Sequence, residues 1–415
     1  MKKIFLLFSF VLANLVFGQR TCGTPQKMEQ FFKDNPQLKA YSKELRAFLT
    51  NPENITKKGT TSVVTVPVVV HVLYKNTTQN ISDAQIQSQI TVLNNDYRKL
   101  NADYNTVVPA AFKPFGADLE IAFCMATKTP TGAATTGIVR KSVASSFSFD
   151  NNYYTSSGDL AWDPTKYLNI WVGAFTNTGY LGWAYLPDAA GQAYDGLAIS
   201  YKYFGTIGTA TAPYNKGRTA THEIGHYFGL EHPWGSIDGD TDTCGSATND
   251  DGVADTPTTS AAYYGCPTFP DFANTCDNTT YPNGAMFMNY MDYVDDACMA
   301  MFSAGQKIIT SNTLAGPRAS LLNSNGCATL STSEVESIER IKLFPNPSSQ
   351  FISISSPLVN VDEIEIFDNS GKLVLAKSKL QTQEKIDIKK LTPGLYYVRI
   401  YNKGNLLKSD KFIKK

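Results

Sequence analysis

Three of the four histidines in this 415-residue chain fall inside one eleven-residue run, from His222 to His232. The run reads H-E-x-x-H-x-x-G-x-x-H. His222 and His226 are four residues apart, so on a helix they lie on one face, one turn apart. Gly229 can adopt a positive φ, which ends a helix in a sharp turn and returns the chain toward that face. The spacing predicts a helix, a glycine turn and three converging imidazoles.

Three imidazoles leave one position open in a tetrahedral zinc site, which is the arrangement of a catalytic site rather than a structural one. Glu223 follows the first ligand, where its carboxylate can polarise a water held by the metal. A chance match to all five fixed positions is on the order of 10⁻⁶ to 10⁻⁵, so incidental histidines do not explain the run. The fourth histidine, His71, lies in a β-branched run and is predicted to be a satisfied core residue.

The N-terminus predicts secretion. Lys2 and Lys3 precede an apolar run from Ile4 to Phe17, which ends at Gly18. This is the pattern of a signal peptide, residues 1–18, and it is too short for a membrane span. The chain carries 37 basic and 37 acidic residues. Such a balance provides no overall field for nucleic acid or an anionic membrane, and no other segment is apolar enough to span one.

Seven cysteines fit an oxidising compartment. Cys244, Cys266, Cys276 and Cys298 cluster in loop-rich sequence after the histidine run, where covalent links are expected to stabilise the fold. Four cysteines allow three pairings, and their spacing does not choose among them. Cys124 lies in an apolar run and is interpreted as a buried core thiol.

Hydrophobic periodicity predicts an α/β (α+β) catalytic domain over residues 61–327. A polar segment with a helical stretch, 28–49, precedes it. Ser82 and Gln85 form a predicted capping box at the start of a helix. Buried strands are predicted at 63–74, 119–125, 167–175 and 196–203, with the histidine helix packed under the sheet. A glycine-interrupted edge strand, 179–185, is where an extended peptide can dock by adding a strand.

The last part of the chain has a different character. Short alternating runs separated by turn signals predict a small antiparallel β-sandwich over residues 339–415, joined by a Ser/Thr/Glu-rich linker, 328–338.

The motifs resemble those of the metzincin metalloendopeptidases. In that clan a tight turn places a methionine beneath the zinc ligands, and Met291 in Met-Asn-Tyr-Met-Asp-Tyr matches it. Residues 221–234, 251–257 and 289–293 are similar to the pappalysin family, in particular its ulilysin branch. The resemblance covers roughly residues 60–325. It implies a mixed twisted sheet over a zinc-binding helix and cleavage of peptide bonds.

The resemblance also implies roles for residues outside the histidine run. It pairs Cys244 with Cys276 and Cys266 with Cys298. It implies that Tyr293 helps to bind zinc or to stabilise the oxyanion; the alternative is a tyrosine that packs in the core.

Acidic residues around the motif have two interpretations each. The family implies structural calcium, and Asp251 and Asp255 are candidate oxygen ligands or solvated turn residues. Asp292, Asp295 and Asp296 follow Met291, where they are predicted to form an acidic pocket wall that favours Arg or Lys after the cut. Solvated loop aspartates are the alternative.

Cys22, in Arg-Thr-Cys-Gly-Thr, resembles the cysteine switch of pappalysin zymogens. Its thiolate would occupy the open zinc position, since zinc favours sulfur ligands. Residues 19–60 are then a propeptide that is removed on activation. The alternative is a structural cysteine.

The C-terminal block resembles the sorting domain of type IX secretion. The matching stretches are 343–347, 368–372 and 391–398. The resemblance implies export through outer-membrane type IX machinery and removal of the domain; a carbohydrate- or protein-binding module is the alternative.

Together these observations predict a secreted zinc endopeptidase that acts on proteins or peptides and is monomeric when mature. Two other functions compete with it. One is a secreted binding or adhesion protein with a vestigial metal site, and the other is hydrolysis of a non-peptide substrate.

Overall fold

The computed structural model describes most of the chain. It covers residues 21–54, 63–177, 179–235, 244, 250–327, 341–356, 361–381, 384–402 and 405–415. The predicted signal peptide and linker lie outside these ranges. Contacts divide the chain into two compact units, 1–327 and 328–415. Within the described ranges, no helix is long and apolar enough to cross a membrane.

The described part of the first unit combines helices with one sheet. Its α-helices are α1 (Thr24–Asp34), α2 (Leu38–Thr50), α3 (Asp83–Tyr97), α4 (Tyr104–Val107), α5 (Phe149–Asn152), α6 (Arg218–Tyr227) and α7 (Ala304–Ala315). Its strands are β1 (Val64–Tyr74), β2 (Ile121–Met125), β3 (Ile138–Ser142), β4 (Leu168–Gly173), β5 (Gly182–Ala184) and β6 (Leu197–Ser200).

The sheet is mixed, with strand order β2-β1-β4-β6-β5 and β3 beside the second half of β1. All pairs are parallel except β5 with β6. Parallel strands are covered on both faces, which explains the continuous β-branched sequence of β1. Helix α6 packs against β5, β6 and α3. The predicted fold class, a mixed sheet over the histidine helix, is confirmed.

His71 is a satisfied core residue, as predicted. It is fully buried in β1, with Nδ1 2.6 Å from Asp159 Oδ2 and Nε2 3.0 Å from Asn169 Oδ1. Its ring stacks on Trp171.

Two predictions about helices need correction. The stretch 28–49 is not continuous but forms α1 and α2, because Pro36 lacks an N–H group and its ring clashes with the preceding turn. Ser82 does cap α3 by accepting from the Gln85 backbone N–H, but the Gln85 side chain does not complete a capping box. Its amide instead donates to the carbonyl of Phe204, 119 residues away.

The interpretation of Cys124 as a core thiol is wrong. Cys124 forms a disulfide with Cys327 across a sequence separation of 203 residues. This bond ties β2 to the end of the first unit. The prediction failed because an apolar neighbourhood suits a half-cystine as well as a thiol.

The described second unit is all-β. Its strands are β7 (Lys342–Phe344), β8 (Phe351–Ser355), β9 (Glu363–Phe367), β10 (Leu373–Ser378), β11 (Ile386–Asp387), β12 (Gly394–Asn402) and β13 (Asn405–Lys414). They form two antiparallel sheets, β10-β9-β12-β13 and β11-β8-β7. Alternating apolar residues such as Ile352, Ile364 and Val398 share one core. This confirms a small β domain.

Candidate active site

Helix α6 delivers the histidine run, and both of its ends are fixed. Its N-cap, Gly217, has φ +78°, and the buried Asp296 carboxylate accepts hydrogen bonds from the N–H groups of Lys216 and Arg218. The helix stops at Tyr227. Gly229 has φ +89°, as the turn requires, and Leu230 N–H donates to Gly225.

Three imidazoles converge as predicted. The Nε2 atoms of His222, His226 and His232 are separated by 3.1 to 3.3 Å. A tetrahedral zinc with bonds of about 2.0–2.1 Å requires ligand nitrogens about 3.3 Å apart. The three side chains are buried, with at most 1% of their surface exposed. The spacing therefore fits a zinc ion.

The ring tautomers support the same conclusion. His222 Nδ1 donates to the Tyr290 carbonyl, and His226 Nδ1 donates to the Leu230 carbonyl, each over 2.7 Å. Burial lowers the pKa of His226 to about 4 and that of His232 well below its usual value. A neutral ring with its proton on Nδ1 presents a lone pair at Nε2. Buried lone pairs so close together repel each other unless they bind a cation.

Met291 lies beneath the histidine helix. It is fully buried, and a Cβ added to Gly225 would lie 2.4 Å from its sulfur. Gly225 is therefore needed so that the methionine can pack against α6 below His222 and His226.

Glu223 and Cys22 meet on the open side of the imidazoles. The Cys22 thiol and the Thr24 hydroxyl each lie 3.3 Å from Glu223 Oε2. The Cys22 sulfur and one ring nitrogen of each histidine lie within 4.8 Å of one another, and all four side chains are buried. The structure thus brings together the predicted base, the predicted switch cysteine and the three predicted ligands.

The segment carrying Cys22 is bound to strand β5. Cys22 pairs with Gly182 in a parallel bridge. Gly23 N–H donates to the Gly182 carbonyl over 2.8 Å, and Leu181 N–H donates to Thr21 over 3.1 Å. Strand addition at this edge was predicted for a peptide, and here a segment of the chain itself occupies it.

Tyr293 lies next to the imidazoles, in a small cluster with Cys22 and Trp234. Its ring centre is 5.6 Å from that of His222 and 5.0 Å from that of His232. Burial, together with the nearby Cys22 and Glu223, raises the pKa of the Tyr293 phenol well above its usual value. The phenol therefore keeps its proton at neutral pH and can donate a hydrogen bond.

Sequence reasoning missed a layer of polar residues behind the histidines. Asp96, on α3, accepts hydrogen bonds from the hydroxyls of Thr221 and Tyr290, each over 2.8 Å. Tyr290 in turn supplies the carbonyl that orients His222. Arg218 lies 3.6 Å from Asp96. Burial raises the pKa of the Asp96 carboxyl to about 6. No spacing rule links Asp96 to residues more than 120 positions away.

The two acidic residues considered for calcium have protein partners. Asp251 is buried and accepts from Val253 N–H and the Thr256 hydroxyl. Asp255 accepts from the Ser303 hydroxyl and Gly305 N–H, so it holds the start of α7. Asp251 is therefore not a solvated residue, Asp255 is a partly exposed turn residue, and both carboxylates are used in local structure.

The acidic residues after Met291 do not form a common wall. Asp296 is fully buried and caps α6, so the structure contradicts its prediction as a pocket residue. Asp292 is also buried and accepts from Tyr263 and Tyr293 N–H groups. Asp295 alone of the three is partly exposed. The three aspartates therefore differ in exposure although they are close in the sequence.

The cysteines after the histidine run form the two disulfides that the family resemblance implied, Cys244–Cys276 and Cys266–Cys298. Each bond spans 32 residues.

Comparison with known proteins agrees with this geometry. The peptidase family model described as pregnancy-associated plasma protein-A matches residues 153–315. An extracellular metalloprotease of Arthroderma otae is 30% identical over 313 residues, which cover 73% of this chain and 93% of the relative. The chain belongs to the pappalysin family. It is therefore a zinc metalloendopeptidase.

Solved structures of two related proteins are also similar to this pappalysin. A Tannerella forsythia promirolysin variant is 39% identical to this chain, with a TM-score of 0.63. The match covers 73% of this chain and 97% of the promirolysin chain. Mature Tannerella forsythia mirolysin in complex with a cleaved peptide is 41% identical, with a TM-score of 0.57. The match covers 63% of this chain and 97% of the mirolysin chain. Residues 342–415 match a model described as a secretion system C-terminal sorting domain. The protein is thus a secreted pappalysin.

Proposed function

We propose that Glu223 is the general base of this endopeptidase and that Tyr293 assists it. His222, His226 and His232 would hold the zinc ion. When bound, zinc supplies Lewis acidity, which lowers the pKa of a coordinated water toward ~7 and polarises the scissile carbonyl.

Glu223 performs the proton transfers in this mechanism. Its carboxylate accepts a proton from the attacking water and then delivers it to the leaving amine. The Tyr293 hydroxyl donates a hydrogen bond to the carbonyl oxygen as that oxygen gains negative charge. The substrate chain pairs with β5, whose edge aligns its backbone beside Glu223.

The convergence of three Nε2 lone pairs beside a buried carboxylate carries this proposal. A structural zinc site would be closed by a fourth ligand that stays in place and would have no use for a buried base. Mature mirolysin, which is similar to this chain, has been solved in complex with a cleaved peptide. That complex supports hydrolysis of a peptide rather than of a non-peptide substrate.

Residues 19–60 are proposed to be a propeptide with Cys22 as its switch. The Cys22 sulfur lies where the attacking water must enter, and it contacts Glu223 as well. The promirolysin chain matches more of this protein than mature mirolysin does, which supports an N-terminal segment that is later removed.

The mechanism is tested by measuring the zinc content of the enzyme and its cleavage of a denatured protein substrate. Glu223→Ala should retain zinc after processing in trans and lose proteolysis. The processed wild type should lose its activity with a chelator and regain it with zinc. Substantial cleavage by the zinc-loaded variant would contradict Glu223 as the base. Zinc binding by a wild type that cleaves nothing would favour a binding or adhesion protein.

Preference for a basic residue after the cut is proposed to depend on Asp295. It is the partly exposed residue of the three acidic candidates. Asp295→Asn should reduce selection for Arg or Lys at that position in a peptide-library digest, and an unchanged profile would exclude it. Structural calcium also stays a prediction, tested by metal analysis of the protein with and without a calcium chelator.

The C-terminal domain is proposed to bind the outer-membrane type IX machinery and to be removed on export. Deletion of residues 339–415 should leave the protein inside the cell envelope, which fractionation of the producing cells would detect.

A further inference from the structure

Lys27, in α1 of the N-terminal segment, occupies a site built for a cation. Its ammonium lies 4.4 Å from the centre of the Trp183 ring and donates to the Asp150 carbonyl over 3.0 Å. The Asp150 carboxylate is nearby, and its charge opposes the lowering of the Lys27 pKa by burial. An aromatic face with a neighbouring carboxylate is the usual environment for a bound ammonium or guanidinium.

The aromatic platform belongs to the catalytic domain and is held in place. Trp183 is fully buried while α1 covers it. Phe175 stacks on it at 4.5 Å, so Lys27 lies on the opposite face, and Tyr180 packs against its edge. A cavity of about 630 Å³ adjoins this place. Its tyrosines are Tyr153, Tyr154, Tyr180, Tyr185 and Tyr194.

Asp150 keeps its orientation without Lys27. Its carboxylate accepts from the N–H groups of Thr176 and Asn177 at 2.6 and 3.4 Å. The other acidic residue lining the cavity is Asp34, which belongs to the N-terminal segment. Departure of that segment therefore removes Lys27 and leaves Asp150 beside an uncovered aromatic face.

The site lies along the path of a peptide bound to β5. A Cβ added to Gly182 would lie 3.1 Å from Glu223 Cγ, so this residue faces the active-site helix. Side chains alternate along a strand, so Trp183 points to the other face. The N-terminal segment joins the two places, with Cys22 beside the imidazoles and Lys27 on Trp183.

We propose that, in the mature enzyme, Trp183 and Asp150 form a substrate subsite for a Lys or Arg side chain several residues away from the cut. This proposal rests on the proposed function, since the N-terminal segment must leave before substrate enters. It is separate from any preference at the residue directly after the cut.

A scan of substrate peptides tests the subsite. The processed wild-type enzyme is given fluorogenic peptides in which one Lys, or uncharged norleucine, is moved along the sequence. Asp150→Asn removes the charge, and its single amide oxygen can still accept the shorter hydrogen bond, from Thr176 N–H. Asp163→Asn is the matched control, since Asp163 also accepts a backbone hydrogen bond in a turn, from Thr165. Trp183→Phe retains an aromatic ring with a weaker attraction for cations.

We expect one position remote from the cut at which Lys raises kcat/KM roughly three- to thirtyfold over norleucine, through KM. Asp150→Asn and Trp183→Phe should reduce this ratio, and Asp163→Asn should not. A flat scan with normal cleavage, or a ratio that survives Asp150→Asn, would overturn the subsite. A wild type that cleaves none of the peptides would instead overturn the proposed function on which the subsite rests.

Discussion

The histidines and Cys22 face the same point in the structure but are held there in different ways. The histidines come from one eleven-residue run, and the rings of His222 and His226 are oriented by carbonyls inside the core. Cys22 reaches them from 200 residues away, on a segment that hydrogen-bonds to an edge strand. The groups needed throughout catalysis are held by the core, whereas the group that we propose to leave is held by backbone pairing with the edge strand β5.

Removing a ligand on the histidine side should have the largest effect. His222→Ala leaves two imidazoles, so we expect loss of zinc and of proteolysis by more than the roughly 10–100-fold that an outer-shell change costs. Metal analysis and a peptidase assay on the processed protein check this. Retention of zinc with full activity would remove His222 from the site.

Changing the layer behind the ligands should have the next largest effect. Asp96→Asn weakens the hydrogen bonds with Thr221 and Tyr290, so we expect a roughly 10–100-fold loss of zinc affinity or activity. Asp103→Asn is the control, because Asp103 contacts the same Arg218 at 2.7 Å. Zinc affinity is measured by competition with a chelator. Equal losses of affinity in both variants would show that the contact with Arg218, rather than the hydrogen bonds to Thr221 and Tyr290, is responsible.

The zinc ligands could be predicted from the sequence, but the polar residues behind them could not. His222, Glu223 and Met291 were found because their spacing within short motifs carries the chemistry. Asp96 could not be found that way, since its partners are brought to it by packing of α3 on α6. Asp296 was misread for the same reason, because only the fold shows that it caps α6.

Packing under the histidine helix should have a smaller effect. Gly225→Ala places a methyl group against the Met291 sulfur, so we expect a loss of about 1–3 kcal/mol in the free energy of unfolding. Denaturant unfolding measures it. The double variant with Met291→Ala should lose less than the sum of the two single variants, and simple additivity would argue against the contact.

The smallest effect is expected in the N-terminal segment. Arg46 of α2 donates to the carbonyls of Gly229, at 2.9 Å, and Asp251. Arg46→Ala should lower the opening free energy of α2 by about 1 kcal/mol, seen as faster amide exchange. Lys43→Ala, which changes an exposed cation on the same helix, is the control. Equal exchange in both variants would mean that Arg46 does not hold the segment.

The central claim is that Cys22 closes the catalytic zinc site until the N-terminal segment is removed. Cobalt(II) substitution of the unprocessed full chain tests it directly, because a thiolate ligand produces a charge-transfer band that imidazoles do not. We predict this band in the wild type, its absence in Cys22→Ser, and its loss on processing. A cobalt-loaded wild-type chain without the band would contradict the claim.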